Sequence, residues 1–169
     1  APEVIAADPL ARLEACDSIP HPAIVLPPDI YGERRRNSHG WNLNDPAVLE
    51  PLTKAMEPFR RTRWGAAKGK AVTSPVNRRD AVGKAAHATA KEAGAAIAAA
   101  RKTFPAWANR PLENRAALLE KTAELYEKHH AEIMAIVVRE AGKTRLDAVA
   151  EIREAVDFLR YYAAEIRGW

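Results

Sequence analysis

The sequence predicts a mainly α-helical stretch with one β-hairpin, and three observations carry that prediction. Apolar residues make up 47% of the chain, much of it alanine, while aromatic residues make up 7%. Small side chains of high helix propensity suit closely packed helices better than a strand-rich fold. From Thr89 onward the apolar residues recur at the 3.6-residue period of an amphipathic helix. Only two short segments, Ala71 to Val76 and Ala81 to His87, read as strands. At 169 residues the chain is long enough to bury one core.

The first element is a short helix over residues 8–16, with Asp8 as N-cap and Pro9 at the first helical position. An irregular stretch follows, in which Pro20, Pro22, Pro27 and Pro28 exclude regular structure. Turn residues continue from Asp29 through Gly40, so this part reads as an extended connector crossing a surface. A helix runs from Asp45 to about Phe59, with Asp45 as cap, Pro46 in the first turn and Pro51 as an interior blemish. Gly65 to Lys70 is small and basic and reads as a loop. Pro75 and Asn77 to Asp80 separate the two strand candidates, which makes a hairpin.

Thr89 and Glu92 form a capping box for the next helix, which carries Ala93, Ile97, Ala100 and Phe104 on one face and is stopped by Pro105. Pro111 opens a helix with an apolar stripe of Leu112, Ala116, Leu119, Ala123 and Tyr126. His129 and His130 mark a break. A shorter helix bearing Ile133, Ile136 and Val137 ends at Gly142, a residue suited to the left-handed C-terminal position. Thr144, with Asp147 three residues on, caps the last helix, whose stripe is Val149, Ile152, Val156, Leu159, Ala163 and Ile166.

Charge and composition exclude several roles. No apolar run approaches the length of a membrane span, and the first residues do not read as a charged-then-apolar leader. Cys16 is the single cysteine, so no internal disulfide forms and an oxidising compartment gains no support. The net charge of +4 comes largely from Arg34 to Arg36 and from Arg60, Arg61, Arg63, Lys68 and Lys70. Such runs read as solvated loops. Nucleic-acid binding would want interleaved aromatics, and only Trp64 stands in that company, so it is not expected of this segment. The chain opens on Ala1-Pro2-Glu3 and closes inside a helical pattern, and it is read as a piece of a longer polypeptide.

Most motif candidates dissolve on inspection. Gly142-Lys143-Thr144 resembles the tail of a phosphate-binding loop, but Val137 stands where that loop needs glycine and a helix, not a strand, leads in. A helix end followed by a helix cap explains it. His21, His39, His87, His129 and His130 have no i, i+4 pair, so no metal site is expected. Cys16 lies between the acidic Glu14 and Asp17, a setting that disfavours a thiolate nucleophile. The last helix is the exception. With Ile152, Val156 and Leu159 toward the core, Glu151, Glu154, Phe158, Tyr161 and Glu165 face away. Aromatics among acids fit either a plain surface or a face covered by another domain or lining a cavity.

The stretch Val138 to Thr144 followed by Ala148 to Ala163 resembles the front helices of aldehyde dehydrogenases. Phe104-Pro-Ala-Trp107 with Arg115 to Leu119, and Ser74-Pro-Val76 through Gly83, are similar to earlier elements of the same family. Leu26 to Gly32, followed by Asn37-Ser-His-Gly40, resembles the connector of the bifunctional proline utilization A family. The resemblance implies an α/β parent with a Rossmann-type NAD-binding domain. Residues 1–65 would be the inter-module connector, with short helices, and 66–169 the N-terminal segment of that domain. The parent would oxidise proline with FAD in an upstream module. The second module would oxidise glutamate semialdehyde to glutamate with NAD, through attack of a thiol on the aldehyde.

By the same resemblance, no catalytic, cofactor-binding or metal-binding residue lies in this stretch. Glu154 would border the aldehyde tunnel and meet the substrate's amino-acid end, with Phe158 as a wall residue. The implied partners are the small-molecule substrate and the rest of the same polypeptide, in a cytoplasmic homo-oligomer, with peripheral membrane contact open to the parent. Taken alone, the stretch is expected to be inactive. Another aldehyde dehydrogenase, or a non-catalytic helical interaction module, remains the alternative.

Overall fold

The structure is a computed structural model that describes residues 6, 8–16, 21 and 23–168. The chain divides into two compact units, Ala1–Asn37 and Ser38–Trp169. In the first, helix α1 spans Pro9–Glu14, and the Asp8 side chain accepts the Leu10 N–H at its start. The expectation that Pro27 and Pro28 exclude regular structure needs correction. Pro27–Asp29 form a 3-10 turn, and a second spans Gly32–Arg34. Proline supplies the φ angle of a first helical turn, where its missing N–H is no loss. The side chain of Asn37 donates to the Pro27 carbonyl at 3.0 Å and its backbone N–H donates to that of Pro28 at 2.9 Å, which closes this segment on itself. Pro20 and Pro22 lie outside the described residues.

In the second unit, α2 spans Pro46–Met56, capped by Asp45 onto the Ala47 N–H at 2.9 Å. It tightens into a 3-10 turn over Glu57–Arg61 instead of continuing as α-helix to Phe59, because Pro58 sits where the tighter turn begins. The sheet has three strands: β1 (Trp64–Gly65), β2 (Lys70–Thr73) and β3 (Ala81–Ala85), in the order β1-β3-β2. Strands β2 and β3 form the expected antiparallel hairpin, with Val72 opposite Gly83. Strand β1 pairs parallel with Gly83 and Lys84 of β3, at the edge of what reads as a loop. A Cβ on Gly83 would come within 2.1 Å of the Trp64 carbonyl oxygen, so this close pairing requires glycine.

Helix α3 spans Ala90–Ala108, with the Thr89–Glu92 capping box in place. It runs through Pro105, contrary to the expected stop there. A proline removes one helical hydrogen bond. The Asn109 N–H nevertheless donates to the Pro105 carbonyl, so the turn after it stays helical. The whole helix is exposed: Ile97 and Phe104 are each 64% accessible.

Helices α4 (Leu112–Lys128), α5 (His130–Ala141) and α6 (Arg145–Arg167) form the core. His129 ends α4 and Gly142, at φ 68°, ends α5 in the left-handed conformation. Thr144 and Asp147 make the α6 capping box. Helices α4 and α6 pack closely because Ala116, Ala123 and Ala163 are fully buried and small. Leu52, Met134, Val149, Ile152 and Val156 join them, with Trp41 and Leu43 packed at the edge. Burying a side chain such as Ile152 contributes about 1.5–3 kcal/mol. At the far end, Arg167 bridges Glu113 and Glu120 and ties α6 to α4.

Candidate functional site

The core pattern sets the face that α6 offers. With Val149, Ile152, Val156 and Ala163 buried, Glu154, Phe158, Tyr161 and Tyr162 point outward, as the helical period requires. Phe158 is 51% exposed, and its ring stacks at 6.1 Å on Tyr162, which meets Tyr161 edge-on at 5.2 Å. Both residues singled out from the sequence, Glu154 and Phe158, therefore lie on one exposed face beside an aromatic row. Of the expected acids, Glu165 is only partly exposed.

One neighbour of this face was missed. Lys143, in the loop before α6, pairs with Glu151, which holds its ammonium above the ordinary lysine range. Asp147 and Glu154 add to that effect. The Lys143–Glu151 pair spans a loop and a helix turn, so no i, i+4 spacing announces it.

The opposite flank of α6 is tied to the segment that precedes α2. The Ser38 hydroxyl donates to Asp157 Oδ2 at 2.7 Å and its N–H to Oδ1 at 3.0 Å. The His39 N–H donates to Glu127 Oε1 at 2.8 Å, and Arg160 grips both oxygens of Glu127, at 2.9 and 2.7 Å. Burial pushes the Glu127 carboxyl up, but Arg160 and the His39 N–H together hold it below the ordinary glutamate range. Trp41 stacks on His130 at 4.7 Å and meets His39 edge-on.

The basic stretch resolves differently. Arg139 is 11% exposed and grips both oxygens of Asp80 while donating to the carbonyls of Phe59 and Thr62. Its guanidinium lies 5.0 Å over the Trp64 ring, whose indole N–H donates to Glu132. Trp64, the aromatic that would stack a base, is thus occupied within the fold. An open groove of about 690 Å³ lies beside Arg139, lined by Arg60, Arg61, Arg79 and Glu57, with Arg60 paired to Glu57.

Cys16 is exposed, and its thiol donates to the Arg12 carbonyl. Among the described residues no three His, Cys, Asp or Glu side chains gather as a metal site, and no helix is long and apolar enough to cross a membrane. Among the described residues the sheet's main pairing is antiparallel, and no glycine-rich loop joins a strand to a helix.

Comparison with known proteins agrees with this architecture. Over 174 aligned residues the chain is 38% identical to the bifunctional protein PutA of Escherichia coli strain K12, covering 97% of this chain and 13% of that protein. It is 37% identical over 93 residues to 1-pyrroline-5-carboxylate dehydrogenase 2 of Bacillus subtilis strain 168, covering 55% of this chain and 18% of that one. A crystal structure of a bifunctional proline utilization A protein superposes with a TM-score of 0.68 at 39% identity, covering 85% of this chain and 13% of the other. The chain therefore spans about an eighth of the length of its bifunctional relatives. Residues 64–168 match the aldehyde dehydrogenase family, and the chain belongs to that family.

Proposed function

We propose that this chain is the front part of the NAD-dependent glutamate-semialdehyde dehydrogenase module of a bifunctional enzyme that oxidises proline to glutamate. Residues 1–65 serve as the connector between modules and 66–169 as the N-terminal segment of the NAD-binding domain. One observation carries the reading. The match to the bifunctional protein extends over 97% of the chain, connector included, whereas the match to the single-function dehydrogenase covers 55%. The family match begins at residue 64, close to the assigned boundary.

The chemistry is completed elsewhere in the polypeptide. Proline oxidation by FAD belongs to the other module, and the thiol and the NAD loops of this module are not in this chain. What this chain contributes is a surface. Glu154 presents a carboxylate that complements the ammonium of the aldehyde's amino-acid end, and Phe158 supplies an apolar wall. Helix α3 supports the same view: an all-exposed helix bearing Ile97, Phe104 and Trp107 suits a face covered by the rest of the polypeptide or by a second subunit.

The test is Glu154→Ala in the full-length polypeptide. KM for glutamate semialdehyde rises about tenfold while kcat changes little, as expected for loss of a binding contact. An unchanged KM would remove Glu154 from the substrate site.

A further inference from the structure

The side of α6 next to Glu154 carries Arg153 and Asp157, which meet the strap 38–41. Asp157 follows Glu154 by three residues, which places the two about 60° apart around the helix axis. Arg153 precedes Glu154, and its Nε donates to the Ser38 hydroxyl at 3.3 Å. Gly40 lies against the same guanidinium, with 3.8 Å between it and an ideal Cβ position. Arg160, one turn further along this flank, is held by Glu127, which also takes the His39 N–H. The strap thus meets residues 153, 157 and, through Glu127, 160, all on one stripe of α6.

A segment that merely passed over a helix would not need this arrangement. Ser38 is 4% exposed, so its hydroxyl is withdrawn from water, and Asp157, which it meets, is half-buried. That withdrawal is costly unless the pair is held in good geometry. Apolar packing of Val149, Ile152, Val156 and Ala163 already fixes where α6 lies. Such packing is non-directional and tolerates small rotations of a helix about its own axis. Directed bonds at one edge do not. The edge they fix adjoins Glu154, and on the far side of Glu154 the aromatic row is exposed.

We propose that Ser38 and Asp157 are positioning residues for the substrate site, which set the roll of α6 and with it the direction of the Glu154 carboxylate. The proposal rests on the assignment of Glu154 made above. The hydroxyl and N–H of Ser38 act together on the two oxygens of Asp157, and Glu154 follows because the two carboxylates share one rigid turn.

The experiment uses the full-length polypeptide and two aldehydes, glutamate semialdehyde and butanal, which lacks the amino-acid end. Ser38→Ala and Asp157→Ala each raise KM for glutamate semialdehyde about fivefold and leave kcat, and both constants for butanal, within about twofold. Asp157→Asn keeps an oxygen for the Ser38 N–H and recovers part of the loss. On a Glu154→Ala background, Ser38→Ala adds nothing further, because the residue it acts through is gone. Equal losses for both aldehydes, or additive effects of Ser38→Ala and Glu154→Ala, would overturn the proposal. A normal KM in Ser38→Ala beside a raised one in Glu154→Ala would overturn it alone, and a normal KM in Glu154→Ala would overturn the substrate assignment with it. Should Asp157→Ala fail to fold, Ser38→Ala, which removes one oxygen atom, carries the test.

Discussion

Ser38 and Asp157, 119 residues apart in sequence, make a two-point contact in which the hydroxyl and N–H of one meet the two oxygens of the other at 2.7 and 3.0 Å. Hydrogen bonds to a charged group contribute about 1.5–3 kcal/mol, more than neutral ones. Ser38→Ala is expected to destabilise the chain by roughly that amount. Asp157→Ala costs more, because it leaves a buried hydroxyl and N–H without this partner. Urea unfolding followed by circular dichroism measures both, and equal midpoints for Ser38→Ala and the parent would contradict the contact's role.

Arg139 joins three separate segments. It holds Asp80 in the hairpin turn and the carbonyls of Phe59 and Thr62 before β1, and Asp80 in return sits below the ordinary aspartate range because of that guanidinium. Removing one partner of this half-buried, charge-assisted pair costs about 1.5–3 kcal/mol, so Arg139→Ala loosens the sheet from α5. A lysine cannot reproduce the planar fork, and Arg139→Lys is expected to recover less than half of that loss. Thermal unfolding of the two variants gives the ranking, and a lysine variant as stable as the parent would refute it.

Gly83 lies where β1 and β3 approach most closely. An added methyl group collides with backbone, not with a movable side chain end. Gly83→Ala therefore costs more than about 1 kcal/mol and separates Trp64 from its strand partner. Faster hydrogen exchange at the amides of residues 64–66, measured against the parent chain, is the expected signature.

Acid should destabilise the fold in a defined window. Asp80 and Glu127 sit below their ordinary values in the folded chain, and so do Glu113 and Glu120, through Arg167. A carboxyl lowered by folding stabilises fully above its unfolded pKa, near 4. That contribution is lost as pH falls through the lower folded value. The unfolding midpoint is therefore steady down to about pH 5 and drops below about pH 4. Glu127→Gln would flatten part of the drop, and a midpoint that rises below pH 4 would contradict the sign.

Much of the helical architecture is legible in the sequence because it rests on local rules. The capping boxes at Thr89 and Thr144, the left-handed Gly142 and the α6 stripe all use short spacings. Pro105 misleads because a proline in an exposed helix forfeits a single bond and need not end it. Strand β1 is two residues long and pairs with a strand far along the chain, so no local pattern marks it. The outward face of Glu154 and Phe158 follows from periodicity alone. The strap contacts, Ser38 with Asp157 and His39 with Glu127, do not. They join residues 119 and 88 positions apart, and nothing in either neighbourhood points to the other. The apolar residues of α3 read as one helical face, and that face is exposed here, since periodicity reveals a face but not what covers it.

The central claim is that this chain is part of a dehydrogenase module and holds none of its reacting groups. NADH formation from glutamate semialdehyde and NAD tests it, measured at 340 nm for the 169-residue chain and for the full-length polypeptide side by side. The account predicts steady turnover by the full-length polypeptide and none above buffer by the chain. Turnover by the chain alone, or a full-length polypeptide that leaves this aldehyde untouched, would contradict it.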